Sequence, residues 1–274
     1  MGTGTDARLE DWLQFRKDRN AALAQRHGWL TLTSLQWLAA SPTPVALVPG
    51  LWSASGAGAV LTADQGAGLT LAGTGKPVAG TVTASLADED SLLWVQYGGP
   101  EGDRVVVELA RRGGSYAIRT RDSSSPVFTG FDGAATFDYR PDLVLEARFE
   151  AYPRPVDVPI RTAHPRVDAV HRTVGELAFR LPGGSRGYRL QVAADGPGRL
   201  ALNFHDATNR ESTAGWRRVS FDAPLPGSSA VTIDFNRAAN YPSAFTPYGT
   251  CPMPVGANII GEPVEAGEKR PPAS

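Results

Sequence analysis

The sequence predicts a mainly β protein: a single antiparallel β-barrel or bent β-sandwich, a meander with an N-terminal amphipathic helix. Three observations carry that expectation. Apolar and polar residues alternate with a period of two over many short segments. Thirty glycines and 22 prolines are spread along the 274 residues, often as Pro-Gly or Gly-Gly between those segments. Helical spacing is evident chiefly near the start. A meander must close into a barrel or pack as a sandwich to protect its edges. No repeat of about 20–50 residues points to a propeller. The expected division is a helical segment over 1–40, one β domain over 41–269 and a disordered tail at 270–274.

Residues 6–26 place Leu9, Trp12, Leu13, Phe15 and Leu23 at roughly helical spacing among charges. That reads as one amphipathic helix docked on a core, ended by Gly28. An apolar link, residues 29–32, precedes Ser34, which is placed to cap a turn of helix carrying Leu35, Trp37 and Leu38. Trp12, Trp29 and Trp37 read as core anchors because of their buried aromatic area.

From Pro42 to Gly80, short strands are expected at 46–48, 59–62 and 69–72. Strands at 92–97, 104–111 and 115–122 follow, the last two joined by Arg112-Gly113-Gly114, a hairpin signal. Residues 143–152 alternate cleanly, with Leu143, Leu145, Ala147, Phe149 and Ala151 on one face. Further strands center on Leu177–Leu181, Tyr188–Val192, Leu200–Phe204, Trp216–Phe221 and Val231–Phe235.

Composition excludes several functions. A net charge of -1 with scattered Lys and Arg argues against nucleic acid. No run approaches membrane-spanning length, and the start has acids and arginines where a secretory signal needs an apolar core, so a cytoplasmic protein is expected. One cysteine excludes an intrachain disulfide and a multi-thiolate zinc site. No metal and no cofactor are expected, and no HExxH or GxSxG occurs.

Polar residues in phase with the core mark candidate sites. Asp206 shares a face with Leu200, Leu202 and Phe204, and Arg217 shares one with Val219 and Phe221. The loop between them reads DATNRESTAG. An inward carboxylate and an inward arginine on paired strands satisfy each other. Two readings stand side by side: a salt bridge closing a barrel end, or Asp206, Glu211, Thr213 and Arg217 lining a pocket mouth. Asp234 and Asn236 end the next strand, followed by Arg237 and Asn240. Residues 241–255 then lack any period yet are rich in proline and aromatics, which suggests a packed lid or wrap. Cys251 reads as a buried inert thiol or a nucleophile, with no partner dictated among His27, His164, His171 and His205. His205 and Asp206 point to opposite faces. Arg119 and Arg121 share one face, as solvated residues or as an anion-binding pair.

The string DFNRAANYPSAFTPYGTCPMPVGANIIGEPVEAGEK resembles the C-terminal signature of a bacterial family, domain of unknown function 1684. HGWLTLTSLQWL at 27–38, IRTRD at 118–122 and FHDATNRESTAGWR at 204–217 are similar to other motifs of that family. The resemblance implies a β-rich single domain. It carries over Arg119, Arg121, Asp122, Asp206, Thr208, Glu211, Thr213, Arg217, Asp234, Asn236, Asn240, Cys251, Asn258 and Glu268 as one recurrent set. Ser243 stands where relatives often have cysteine, so a two-cysteine metal or redox mechanism is not expected. Gly215-Trp216-Arg217 departs from the family's Gly-Arg step, leaving Arg217 and Arg218 as alternatives for the inward arginine.

The functional expectation is binding of a small polar or anionic molecule. In one form the chain is a metal-independent acid/base enzyme of hydrolase or lyase type. Asp206 or Glu211 is then the general base and Arg217 holds negative charge. Arg119, Arg121, Thr213, Asp234, Asn236, Asn240 and Asn258 are the candidate binding residues. The alternatives are a non-catalytic binding module and a purely structural polar cluster; whether the chain is an enzyme, and its oligomeric state, stay open.

Overall fold

The structure, a computed structural model, describes residues 3–272. The chain folds into two compact units, one of residues 22–131 and one of residues 1–21 with 132–274. The strands foreseen as one β domain over 41–269 fall into both units. No helix among the described residues is long and apolar enough to cross a membrane.

Helix α1 (Thr3–Leu23) buries Trp12 and Leu23, but Leu9 and Leu13 are 36% and 51% exposed. The inward stripe is instead Trp12, Phe15, Arg16 and Arg19, at i, i+3, i+4 and i+7. The Trp12 indole donates to the Asn236 carbonyl at 3.0 Å, and the Arg16 guanidinium lies 5.2 Å from the center of its ring. Arg19 reaches Glu268 at 2.8 Å and the Asn240 carbonyl at 2.8 Å. The helix is therefore docked by polar bonds as much as by apolar burial, which apolar periodicity alone does not reveal.

The unit of residues 22–131 is a sandwich. The turn of helix expected after Ser34 is instead β1 (Leu32–Trp37), preceded by a 3-10 turn at Trp29–Thr31. Backbone pairing with a distant strand overrides the local cap signal there. Next come β2 (Thr43–Val45), β3 (Val48–Ser55), β4 (Gly58–Ala63), β5 (Thr70–Leu71), β6 (Gly80–Ala84), β7 (Ser91–Tyr97), β8 (Val105–Arg112) and β9 (Ser115–Asp122). They form sheets of order β1-β9-β8-β7-β5 and β2-β3-β4-β6. Both sheets contribute to one core that includes Trp52, Leu61, Val107, Leu109 and Ile118. Trp52 meets Trp94 edge to face at 5.6 Å. Trp29 is 37% exposed, so the buried tryptophans are Trp12, Trp52 and Trp94 rather than the first three. A short helix α2 (Pro126–Thr129) ends the unit.

The other unit holds β10 (Val144–Arg161), β11 (Asp168–Arg180), β12 (Gly187–Ala194), β13 (Arg199–Phe204), β14 (Arg217–Asp222), β15 (Ala230–Asp234) and β16 (Ala239–Asn240). They form one antiparallel sheet in the order β15-β10-β11-β12-β13-β14-β16. Five consecutive strands make the expected meander, but the end strands do not pair, so the sheet is open and no barrel closes. Register shifts between Ala151 and Val156 against β11, and between Thr173 and Gly175 against β12, mark bulges in β10 and β11. Gly175 is required there, since a Cβ would lie 2.4 Å from the Glu150 carbonyl oxygen.

One face of this sheet carries Leu177, Phe179, Leu190, Leu202, Phe204, Val219 and Ile233. That face is filled not by a second sheet but by Phe235, Ala238, Ile260, Val264 and Ala266 from the chain's last forty residues. The tail expected to be disordered is partly held: Arg270 donates through its backbone to the Ser212 carbonyl at 2.9 Å. Residues 273 and 274 lie outside the described residues.

Candidate functional site

Asp206 and Arg217 form a buried ion pair at 2.7 Å, with both side chains fully buried. Pairing fixes which arginine turns inward: Arg217 sits opposite Phe204 and shares its core face, whereas Arg218 sits opposite Asn203 on the other face. The Arg217 guanidinium lies 5.4 Å from the center of the Phe204 ring. It also donates to the carbonyls of Val264 at 2.8 Å and Ala266. Burial pulls its pKa down from the ordinary value, opposed by Asp206. Asp206 Oδ1 accepts from the Thr208 backbone at 2.8 Å and from the Thr208 hydroxyl. The Val264 backbone adds a longer bond at 3.4 Å. Thr213, fully buried, bonds the Thr208 hydroxyl at 2.8 Å. The pair thus serves as a side-chain substitute for a strand, clamping residues 264–268 into the core.

The other candidates in this unit meet backbone more than open space. Asn258 donates to the carbonyls of Gln191 and Asn203 at 2.8 and 2.9 Å and accepts from the Gln191 backbone at 2.8 Å. It fills the gap where β12 and β13 part. Asn236 exchanges bonds of 2.7 and 2.9 Å with the Arg140 backbone, and Asp234 caps the following turn by accepting from Asn236 at 2.9 Å. Asn240 donates through its backbone to Glu268 at 2.7 Å and through its side chain to the Lys269 carbonyl. Glu211 is exposed. Asn236 and Glu268 line a crevice of only about 10 Å³.

Arg119 and Arg121 belong to the other unit. They are not solvated, being 1% and 7% exposed. Both grip Glu108 of β8, at 3.0 and 2.5 Å. Burial pushes the Glu108 carboxyl up, but Arg121 and Arg119 more than offset this and hold it below its ordinary value. The Trp29 ring lies 4.9 Å from the Arg121 guanidinium. Glu108 is a site residue outside the sequence-derived candidates, and its signal is a lone acid inside VVVELA that faces two arginines on the hairpin partner.

The arrangement richest in unmet polar chemistry lies elsewhere, on the second face of the seven-stranded sheet. Pairing puts Thr173, Ala193, Ala201 and Ser220 on that face, hence also Asn203 and Arg218. Tyr241 follows β16 directly and donates its hydroxyl to Asn203 Oδ1 at 2.8 Å. Its ring lies 6.4 Å from that of Trp216. Burial raises the Tyr241 pKa, Cys251 and Asp195 add to it, and Arg218 and Asn203 oppose it. Arg218 is salt-bridged to Asp195, which also accepts from Ser220 at 2.6 Å. Burial pushes the Asp195 carboxyl up, yet Ser220, Arg218 and Arg199 together hold it low. Trp216 Nε1 and Arg218 Nε are buried N–H donors with no acceptor.

On β11 the same face carries His171, 6% exposed. Its Nδ1 lies 2.8 Å from the Thr173 hydroxyl, which donates to Gln191 Oε1 at 3.1 Å. His171 Nε2 is buried without a partner. Burial lowers the pKa of this imidazole, favoring the neutral ring. Cys251 is buried, and its carbonyl accepts from Ala163 at 2.8 Å, so the irregular stretch 241–255 is stitched to the end of β10. His205 Nδ1 bonds the Gly215 carbonyl at 2.8 Å. No group of three or more His, Cys, Asp or Glu among the described residues is arranged to hold a metal.

Comparison with known proteins adds family but no chemistry. The family model described as "Protein of unknown function (DUF1684)" matches residues 129–269. A search of curated proteins finds no match. Five chains of solved structures match. One is the solution NMR structure of the uncharacterized protein from gene locus rrnAC0354 of Haloarcula marismortui. It is 29% identical over 52% of this chain and 78% of that one, with a TM-score of 0.43.

Proposed function

We propose that this chain, which belongs to the DUF1684 family, binds a small polar molecule bearing an anionic or other acceptor group. The proposed site is the second face of the seven-stranded sheet, at Trp216, Arg218 and Tyr241. The observation that carries the reading is the pair of buried N–H donors, Trp216 Nε1 and Arg218 Nε, left without acceptors. An unmet buried donor costs about 1–3 kcal/mol, and a ligand oxygen placed against it recovers that cost. Residues 216 and 218, two apart in sequence, bring both donors to one locality beside the half-buried Tyr241.

In this reading Asp206, Thr213, Arg217, Asn236, Asn240 and Asn258 are scaffold. Asp206 does not act as a general base, because both its oxygens are engaged by Arg217, Thr208 and Asn209. Glu211 stands apart in solvent, and the protein is a binding module. The test is a thermal-shift screen of small organic acids on wild-type protein and on Arg218→Met. Stabilization of wild type that disappears in Arg218→Met, with the ligand-free melting temperature nearly kept, is the expected result. Equal stabilization of both proteins would remove the site from the second face.

A further inference from the structure

Where the C-terminal segment meets the turn between β11 and β12, the seven-stranded unit holds a cleft of about 520 Å³. The buried side chains of Leu143 and Leu181 line it, together with Pro182 and Pro263. Its volume and apolar lining suit a small organic molecule.

Four charged residues line the same cleft: Arg140, Asp142, Glu262 and Glu265. Arg140 is spent on Asp142, which it grips through two bonds of 2.9 and 2.7 Å. Glu262 and Glu265 therefore set the charge that a ligand meets. Arg186, on the same turn, lies 5.4 Å from the center of the Tyr188 ring and does not line the cleft.

Acids at a surface are ordinary, but Glu262 is not placed as they are. The residue is half-buried, its Oε2 is fully buried, and no described residue donates to that oxygen. A carboxylate oxygen withdrawn from water without a donor is costly, and a cationic donor brought to it relieves that cost. The carboxylate is also held in position. The Glu262 carbonyl accepts from the Ala207 backbone at 3.3 Å, and the Val264 backbone donates to Asp206 at 3.4 Å. Asn236 bonds both backbone groups of Arg140, at 2.7 and 2.9 Å. The scaffold residues Asp206 and Asn236 thus fix the backbone on which the cleft residues stand. Gly184 completes the fit, since a Cβ there would lie 3.3 Å from Glu262 Oε1.

We infer that this cleft binds an organic cation, a primary amine on a short alkyl chain, with the ammonium at Glu262 and the chain against Leu143, Leu181 and Pro182. An ammonium is compact and carries three donors and no acceptor, as an orphaned carboxylate oxygen requires. The site is separate from the acceptor-binding site proposed on the second face and takes a ligand of opposite charge.

The experiment measures binding of butylamine to the full chain by calorimetry and thermal shift. Butanol and butyrate match its chain without its charge, and potassium and magnesium chloride supply charge without a chain. Butylamine is expected to bind at least about 10-fold more tightly than butanol or butyrate, the worth of one charge-assisted hydrogen bond. Glu262→Gln should weaken butylamine by about the same factor while the ligand-free melting temperature stays level or rises. Glu211→Gln makes the same change of net charge in solvent and should bind butylamine as wild type does. Gly184→Ala should also weaken it, because the backbone there is not left-handed and the new methyl crowds Glu262 Oε1.

If butylamine fails to bind, if butanol binds as well, or if either salt stabilizes the protein as much, the ligand class is overturned. If Glu262→Gln binds butylamine like wild type, or Glu211→Gln loses as much, the site is overturned. A fall of several degrees in the ligand-free melting temperature of Glu262→Gln would show that the carboxylate already has a structural partner, and the inference falls with it.

Discussion

Arg217→Met tests the clamp on the C-terminal segment most directly. The substitution keeps the volume of the side chain and removes its charge. It leaves the Asp206 carboxylate buried without its cation and the Val264 and Ala266 carbonyls without their donor. Breaking a fully buried pair from one side costs about 3–5 kcal/mol. In a chain of this size each kcal/mol moves the melting temperature by about 2–4 °C, so a fall of roughly 6–20 °C is expected. Circular dichroism melts give that number, and amide exchange at residues 264–268 shows whether the loss is local to the clamp. The double variant Asp206→Leu/Arg217→Met should recover much of the deficit, because no charge is then stranded. A fall below about 2 °C in the single variant, with unchanged exchange at 264–268, would refute the clamp.

Gly175→Ala should cost about 1–3 kcal/mol in a denaturant titration, because the new Cβ meets the Glu150 carbonyl and the Ala151 Cα, which are backbone and cannot step aside. Arg19→Ala removes bonds to Glu268 and the Asn240 carbonyl and should cost about 1–3 kcal/mol, read as faster amide exchange in α1. Glu211→Gln should leave the melting temperature within about 1 °C, as expected for an exposed side chain away from any cluster. The pH prediction follows from His171, whose folded pKa is lowered by burial. Just below the unfolded value of about 6.5 the unfolded chain binds more protons, so stability should fall as pH drops through that value and level off below the folded pKa. His171→Phe should flatten that part of the stability curve.

Much of the strand pattern was legible because one side of each strand meets a core. The run from 143 to 152 and the hairpins from 177 to 221 declare themselves by alternation, and even the inward Asp206 and Arg217 stand out against it. The choice between Arg217 and Arg218 was not legible, since it depends on which of them faces Phe204 across the ladder. Ser34 to Leu38 misled for a similar reason: a cap signal and two apolar residues fit a helical turn until β9 supplies a partner. The second face was invisible for a different cause. Gln191, Asn203 and Ser220 occupy the polar phase of alternating strands, where water is the default neighbor. Alternation reports which residues avoid the core and cannot report that Tyr241 covers some of them. Likewise the sequence marks Asn258 and Asn240 as unusual, but not that their partners are main-chain groups.

The bond between Arg19 and Glu268 spans 249 positions. A ribosome adding about 5–20 residues per second therefore emits the second partner roughly 10–50 s after the first. During that interval α1 lacks the acid that docks it, and once β14 is made the core face of β11 to β14 waits about 40 further residues, roughly 2–9 s, for Ile260, Val264 and Ala266. The unit consequently completes its core only when residues 260–268 follow β16, with an apolar sheet face open until then. The exposure of that face in the cell is set by the order of synthesis rather than by the stability of the finished fold.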